Sequence, residues 1–99
     1  MKITFERSGG IMGAKARLEI DLNQLSANQA EVLRKLLEEA NFFALPENPL
    51  AHAMPDGFQY TITVEAELVK HTVHTSDGTV PPELGPLLQE LSQRVRRRQ

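Results

Sequence analysis

The chain contains no cysteine and no tryptophan, and its aromatic residues amount to four phenylalanines and one tyrosine. Without cysteine there are no disulfides, no thiolate metal sites and no thiol nucleophile. No stretch approaches the roughly 20 consecutive apolar residues that a bilayer-spanning helix needs. The N-terminus, MKITFERS, alternates in character and lacks the apolar run of a signal peptide, so the cytoplasm is the expected address. Positive charge is scarce outside one place. Arg94, Arg96, Arg97 and Arg98 supply four of the eleven basic residues, which leaves seven against thirteen acidic ones elsewhere. An acidic body with a basic end and no interleaved aromatics sets nucleic acid aside as a partner, and the arginines read as a solvated helix end. At 99 residues the chain has room for one domain, 1–99, with residues 94–99 as its basic helix end or tail.

The strongest local signal is SANQAEVLRKLLEEAN, residues 26–41. Ser26 and Gln29 have capping-box spacing, and Leu33, Leu36, Leu37 and Ala40 recur at three and four residues to form one apolar stripe bordered by Val32. Asn41 suits the left-handed position that closes a helix, and Leu45-Pro46 forbids continuation. Before this helix, residues 2–7 and 14–22 alternate with period two. Ile3 and Phe5 share one face, as do Ala16, Leu18, Ile20 and Leu22. Ser8, Gly9, Gly10, Ile11, Met12 and Gly13 read as the hairpin loop between the two strands. After the helix, residues 46–57 (PENPLAHAMPDG) hold three prolines and no periodicity, which makes a long irregular connection. Phe58, Tyr60, Ile62, Val64 and Ala66 define an inward face of a third strand. Val69, His71 and Val73 do the same for a fourth, and Pro81-Pro82 opens a last helix carrying Leu84, Leu87, Leu88, Leu91 and Val95. The expected architecture is α+β, ββαββα: a four-stranded antiparallel sheet with both helices packed on one face.

Catalytic and metal readings fail on spacing. His71 and His74 are three apart on a strand and so point to opposite faces, unable to share an ion. Ser8, Ser26, Ser76 and Ser92 lack nucleophile-elbow surroundings, and Asp56 and Asp77 each precede glycine as turn residues do. The Ser8-Gly9-Gly10 run joins two strands rather than opening a helix, so it is no phosphate loop. The expectation is a protein without catalytic residues, metal or cofactor. One oddity is left over: Ile11 and Met12 are large apolar side chains on a tip that should be wet. Such residues on a strand-anchored loop suit a binding element.

At Phe5-Glu6-Arg7-Ser8-Gly9-Gly10-Ile11-Met12-Gly13 the sequence resembles the emfourin family, small protein inhibitors of thermolysin-like zinc metalloproteases. The resemblance continues through the helix ending in Asn41-Phe42-Phe43, through Pro55-Asp56-Gly57-Phe58-Gln59-Tyr60, and through His71-Thr72-Val73. It implies a competitive protease inhibitor that inserts the loop Ser8, Gly9, Gly10, Ile11, Met12 and Gly13 into a protease cleft. Residues 46–57, with His52, Met54, Pro55 and Asp56, form a candidate second contact. The partner so implied is a thermolysin-like metalloprotease, with no membrane and no nucleic acid involved. The alternative from a different class is a non-enzymatic interaction module using the sheet face or the arginine-rich tail.

Overall fold

The computed structural model describes residues 1–9, 14–47, 57–78 and 80–98. Its elements run β1 (Lys2–Gly9), β2 (Ala14–Asp21), α1 (Ala27–Ala40), β3 (Phe58–Glu65), β4 (Lys70–Ser76) and α2 (Gly85–Arg98). Short 3-10 turns at Leu22–Gln24, Phe42–Ala44 and Pro82–Leu84 join them. The strands form one antiparallel sheet in the order β2-β1-β3-β4, so β1 and β3 are the interior strands. The expected ββαββα order is the observed one.

The register follows from the alternating pattern. Phe5 pairs with Leu18 on one side and Ile62 on the other, and Ile62 pairs in turn with Val73. One row of apolar side chains therefore crosses all four strands on one face, because slipping any strand by one residue would turn its apolar set to water. Both helices cover that face and pack against each other, with Leu33, Leu37, Leu87 and Leu91 set into a single core. The opposite face carries Thr4, Glu19, Thr61, Thr63 and Thr72, joined by bonds such as Thr63 Oγ1 to Thr72 Oγ1 at 3.0 Å.

The caps of α1 are those its sequence calls for. The Ser26 hydroxyl accepts from the Gln29 amide at 3.2 Å. Asn41 takes φ 51°, ψ 48°, and its amide donates to the Glu38 carbonyl at 3.0 Å. Leu37 is 5% exposed. Its truncation to alanine removes transfer energy and leaves a cavity, so Leu37→Ala should cost about 2–5 kcal/mol in a urea unfolding experiment. A loss below about half a kcal/mol would be a surface residue's value and would contradict this packing.

Two local expectations are corrected. Ser8 and Gly9 are not loop residues: they continue β1, paired with Lys15 and Ala14. Val69 shares the parity of His71 and Val73 yet is 51% exposed, because it closes the β3–β4 hairpin through its bonds with Ala66 instead of joining the strand. α2 runs on to Arg98, and Val95 within it is buried.

Candidate functional site

Gly9 at the end of β1 pairs with Ala14 of β2 and with Phe58 of β3. The strand ends that flank residues 10–13 and the strand start that follows residues 48–56 are therefore neighbours at one end of the sheet. Three backbones crowd together there, and Gly9 is what lets them. Its φ is +103°, a value that suits glycine, and a Cβ at this position would lie 2.9 Å from the Gly57 carbonyl oxygen.

The end of β4 closes the same region. The Asp77 amide donates to the Phe58 carbonyl at 3.0 Å, while its carboxylate accepts from the Phe58 amide at 3.0 Å and from the Tyr60 hydroxyl at 2.8 Å. Gly78, at φ 89°, then turns the chain away. On the other side the Arg7 guanidinium sits 4.9 Å from the centre of the Phe58 ring. Tyr60 stacks on Phe5 with ring centres 6.1 Å apart, which ties this end to the core. The result is a platform of paired strand ends to which residues 10–13 and 48–56 are joined in the chain.

Electrostatically the platform is marked by Tyr60. Burial, and then the hydrogen bond to Asp77 and that carboxylate's charge, push its hydroxyl up to about 12 from 10.0, with Arg7 pulling weakly the other way. The folded chain thus keeps a proton that the unfolded chain loses first, so stability is complete below about pH 10 and lost as pH rises through about 12. Because Tyr60 is the only tyrosine and tryptophan is absent, near-ultraviolet tyrosinate absorbance reports this one group. The expected midpoint lies well above that of free tyrosine and coincides with loss of helical circular dichroism. Tyr60→Phe should remove the tyrosinate signal and flatten the alkaline fall in stability.

The two histidines sit on opposite faces, as their spacing requires. His71 Nε2 donates to the Leu45 carbonyl at 2.6 Å and its ring meets Phe42 edge-on with centres 5.6 Å apart. His74 is exposed, with Nδ1 3.0 Å from Thr61 Oγ1. Both rings have structural partners, and among the described residues no group of three His, Cys, Asp or Glu is placed to hold a metal. Nor is any helix among them long and apolar enough to cross a membrane. A concavity at the C-terminal end of α1, between Met1, Leu37, Phe42 and Phe43, has apolar walls, with Arg34, Glu38 and Asn41 as its polar lining.

Of the residues singled out from the sequence, Ser8 and Gly9 lie in the platform. Gly10, Ile11, Met12 and Gly13, and likewise His52, Met54, Pro55 and Asp56, lie outside the described residues. Asp77 and Arg7 were missed. Asp77-Gly78 was legible as a turn, but the reach of its carboxylate depends on the β3–β4 register, which short-range patterns do not carry.

A family model described as Emfourin matches residues 5–92. The chain belongs to the Emfourin family. The match runs from the middle of β1 to the second half of α2, so it takes in the whole platform and both segments that leave it. No curated protein and no solved structure matches the chain. As an Emfourin member the chain has, in general terms, a role of the protease-inhibitor type rather than a catalytic one.

Proposed function

We propose that this Emfourin chain is a competitive inhibitor of a thermolysin-like zinc metalloprotease. The end of β1 at Ser8 and Gly9, with the following Gly10, Ile11, Met12 and Gly13, enters the protease cleft, and residues 46–57, with His52, Met54, Pro55 and Asp56, make a second contact. The observation that carries this reading is the adjacency of Gly9, Ala14, Gly57 and Phe58 under the Asp77 staple. Two segments far apart in sequence are joined to the same end of the sheet, which supports their meeting one partner surface together.

Three physical points support it. Ile11 and Met12 are the large apolar side chains of the hairpin, flanked by glycines that let the backbone pass close to a cleft wall. A loop held at its base by paired strands loses little conformational freedom on binding, which is how inhibitor interfaces of ordinary size become tight. The zinc is the enzyme's own, and a carbonyl or side chain of the inserted segments displaces the water it activates.

The test is an inhibition assay of the full chain against a panel of thermolysin-like proteases, with serine proteases as controls. Inhibition confined to the metalloproteases is expected. Removing residues 96–99 should leave it intact, whereas cutting at Arg94 would also delete the buried Val95 and unsettle the core. Loss of inhibition with the fold preserved in the shorter truncation would make the arginines the recognition element instead.

A further inference from the structure

β2 is an end strand of the sheet, and among the described residues no backbone hydrogen bond reaches its outer edge. The other end strand differs, since the His74 amide of β4 donates to the Glu47 carbonyl at 2.7 Å. An open edge invites another strand, and natural sheets commonly blunt it with charged side chains. β2 carries charges of both signs, in an order that matters. Along its solvent face run Lys15, Arg17, Glu19 and Asp21, and along its core face Ala16, Leu18 and Ile20.

We propose that β2 is a self-recognition edge: two copies of this chain join antiparallel through residues 15–21, with Leu18 on the two-fold axis. The sheet then grows from four strands to eight. In this register Lys15 lies opposite Asp21 of the second copy and Arg17 opposite Glu19, each pair occurring twice by symmetry, while Leu18 meets Leu18 and Ala16 meets Ile20. Moving the axis to any other residue of the segment puts like charges opposite each other. Centring on Arg17 sets arginine against arginine, centring on Glu19 sets glutamate against glutamate, and centring on Ala16 or Ile20 pairs Lys15 with Arg17 or Glu19 with Asp21. Registers of odd offset turn the apolar row of one copy to the solvent face of the other. One register alone satisfies both the pleat and the charges.

The row is already engaged within its own chain: Lys2 Nζ lies 3.9 Å from Glu19 Oε1, and Asp21 Oδ1 accepts from the Asn23 amide at 2.9 Å. Arg17 Nη2 now bonds Glu19 Oε1 in its own strand at 2.8 Å, with the two side chains 62% and 47% exposed. Exposed pairs of this kind exchange partners at small cost. An antiparallel join also sends the Gly9–Ala14 ends of the two copies in opposite directions, so each platform stays free. The edge is short, so association belongs at the weak end of specific interfaces.

The experiment is sedimentation equilibrium of the full chain from micromolar to millimolar concentration, with no protease present. A reversible monomer–dimer equilibrium is expected. Arg17→Glu and Glu19→Arg, each alone, set like charges opposite twice per dimer and should raise the dissociation constant about tenfold or more. An equimolar mixture of the two variants should recover association, because each of the two charge pairs across the mixed join then sets a glutamate against an arginine. The double exchange in a single chain should recover it as well. A chain that stays monomeric throughout overturns the proposal. A dimer indifferent to the single substitutions, or singles that the mixture and the double exchange both fail to rescue, overturns it equally.

Discussion

Replacing Ile11 and Met12 together by aspartate should weaken protease inhibition about a hundredfold or more, while the melting temperature moves only slightly. The two effects should separate because positions 11 and 12 fall in the chain after the last pair of β1 with β2, Gly9 with Ala14. Among the described residues Phe5, Leu18, Ile62 and Val73 form the row at the centre of the core within the strands. An apolar protease pocket that received Ile11 or Met12 would have to take an unpaired carboxylate or stay empty, and desolvating such a charge costs several kcal/mol. Inhibition constant and melting temperature must be measured on the same double variant. An unchanged inhibition constant would remove the first hairpin from the interface and leave residues 46–57 as the contact. A collapsed melting temperature would mean that the tip folds back into the core.

Phe5→Ala should be the most damaging single change to the fold, costing about 3–5 kcal/mol in urea unfolding. Phe5 is 0% exposed on an interior strand, stacks on Tyr60, and sits between Leu18 and Ile62. Its cross-strand neighbours are held by pairing on both sides, which limits how far they can collapse into the gap. Set against a total stability of about 5–15 kcal/mol for a domain, the loss is a large share. It should also lower the alkaline midpoint of Tyr60, whose burial depends partly on that ring. A variant as stable as the parent would show that the inter-strand row is not the centre of the core.

Most of the architecture was legible because each element obeys its own local rule. Ser26 and Asn41 mark the ends of α1 through cap chemistry that needs only neighbouring residues, and Phe58, Tyr60, Ile62 and Val64 reveal β3 by parity alone. Strand order was not legible. A hairpin says that β1 touches β2, yet nothing in the local pattern says that β3 pairs on the other side of β1. The platform was half legible for the same reason. Three glycines between residues 8 and 13 promise a turn, but that Ser8 and Gly9 stay in the sheet depends on Phe58 and Gln59 being there to pair with them. Asp77 shows the limit most clearly. As part of Asp-Gly it announces a turn, and only the folded register discloses that its carboxylate serves Phe58 and Tyr60 across 19 and 17 residues.

The central claim is that one end of the sheet, and no other surface, meets the protease. Hydrogen exchange on the inhibitor–protease complex, compared with the free chain, tests it most directly. Added protection is expected at residues 8–14 and 46–58, with the β3–β4 hairpin around Leu68 and the end of α2 exchanging as before. Protection that instead falls on Leu68 and Val69 or on the end of α2, with the Gly9 and Phe58 region unchanged, would contradict it.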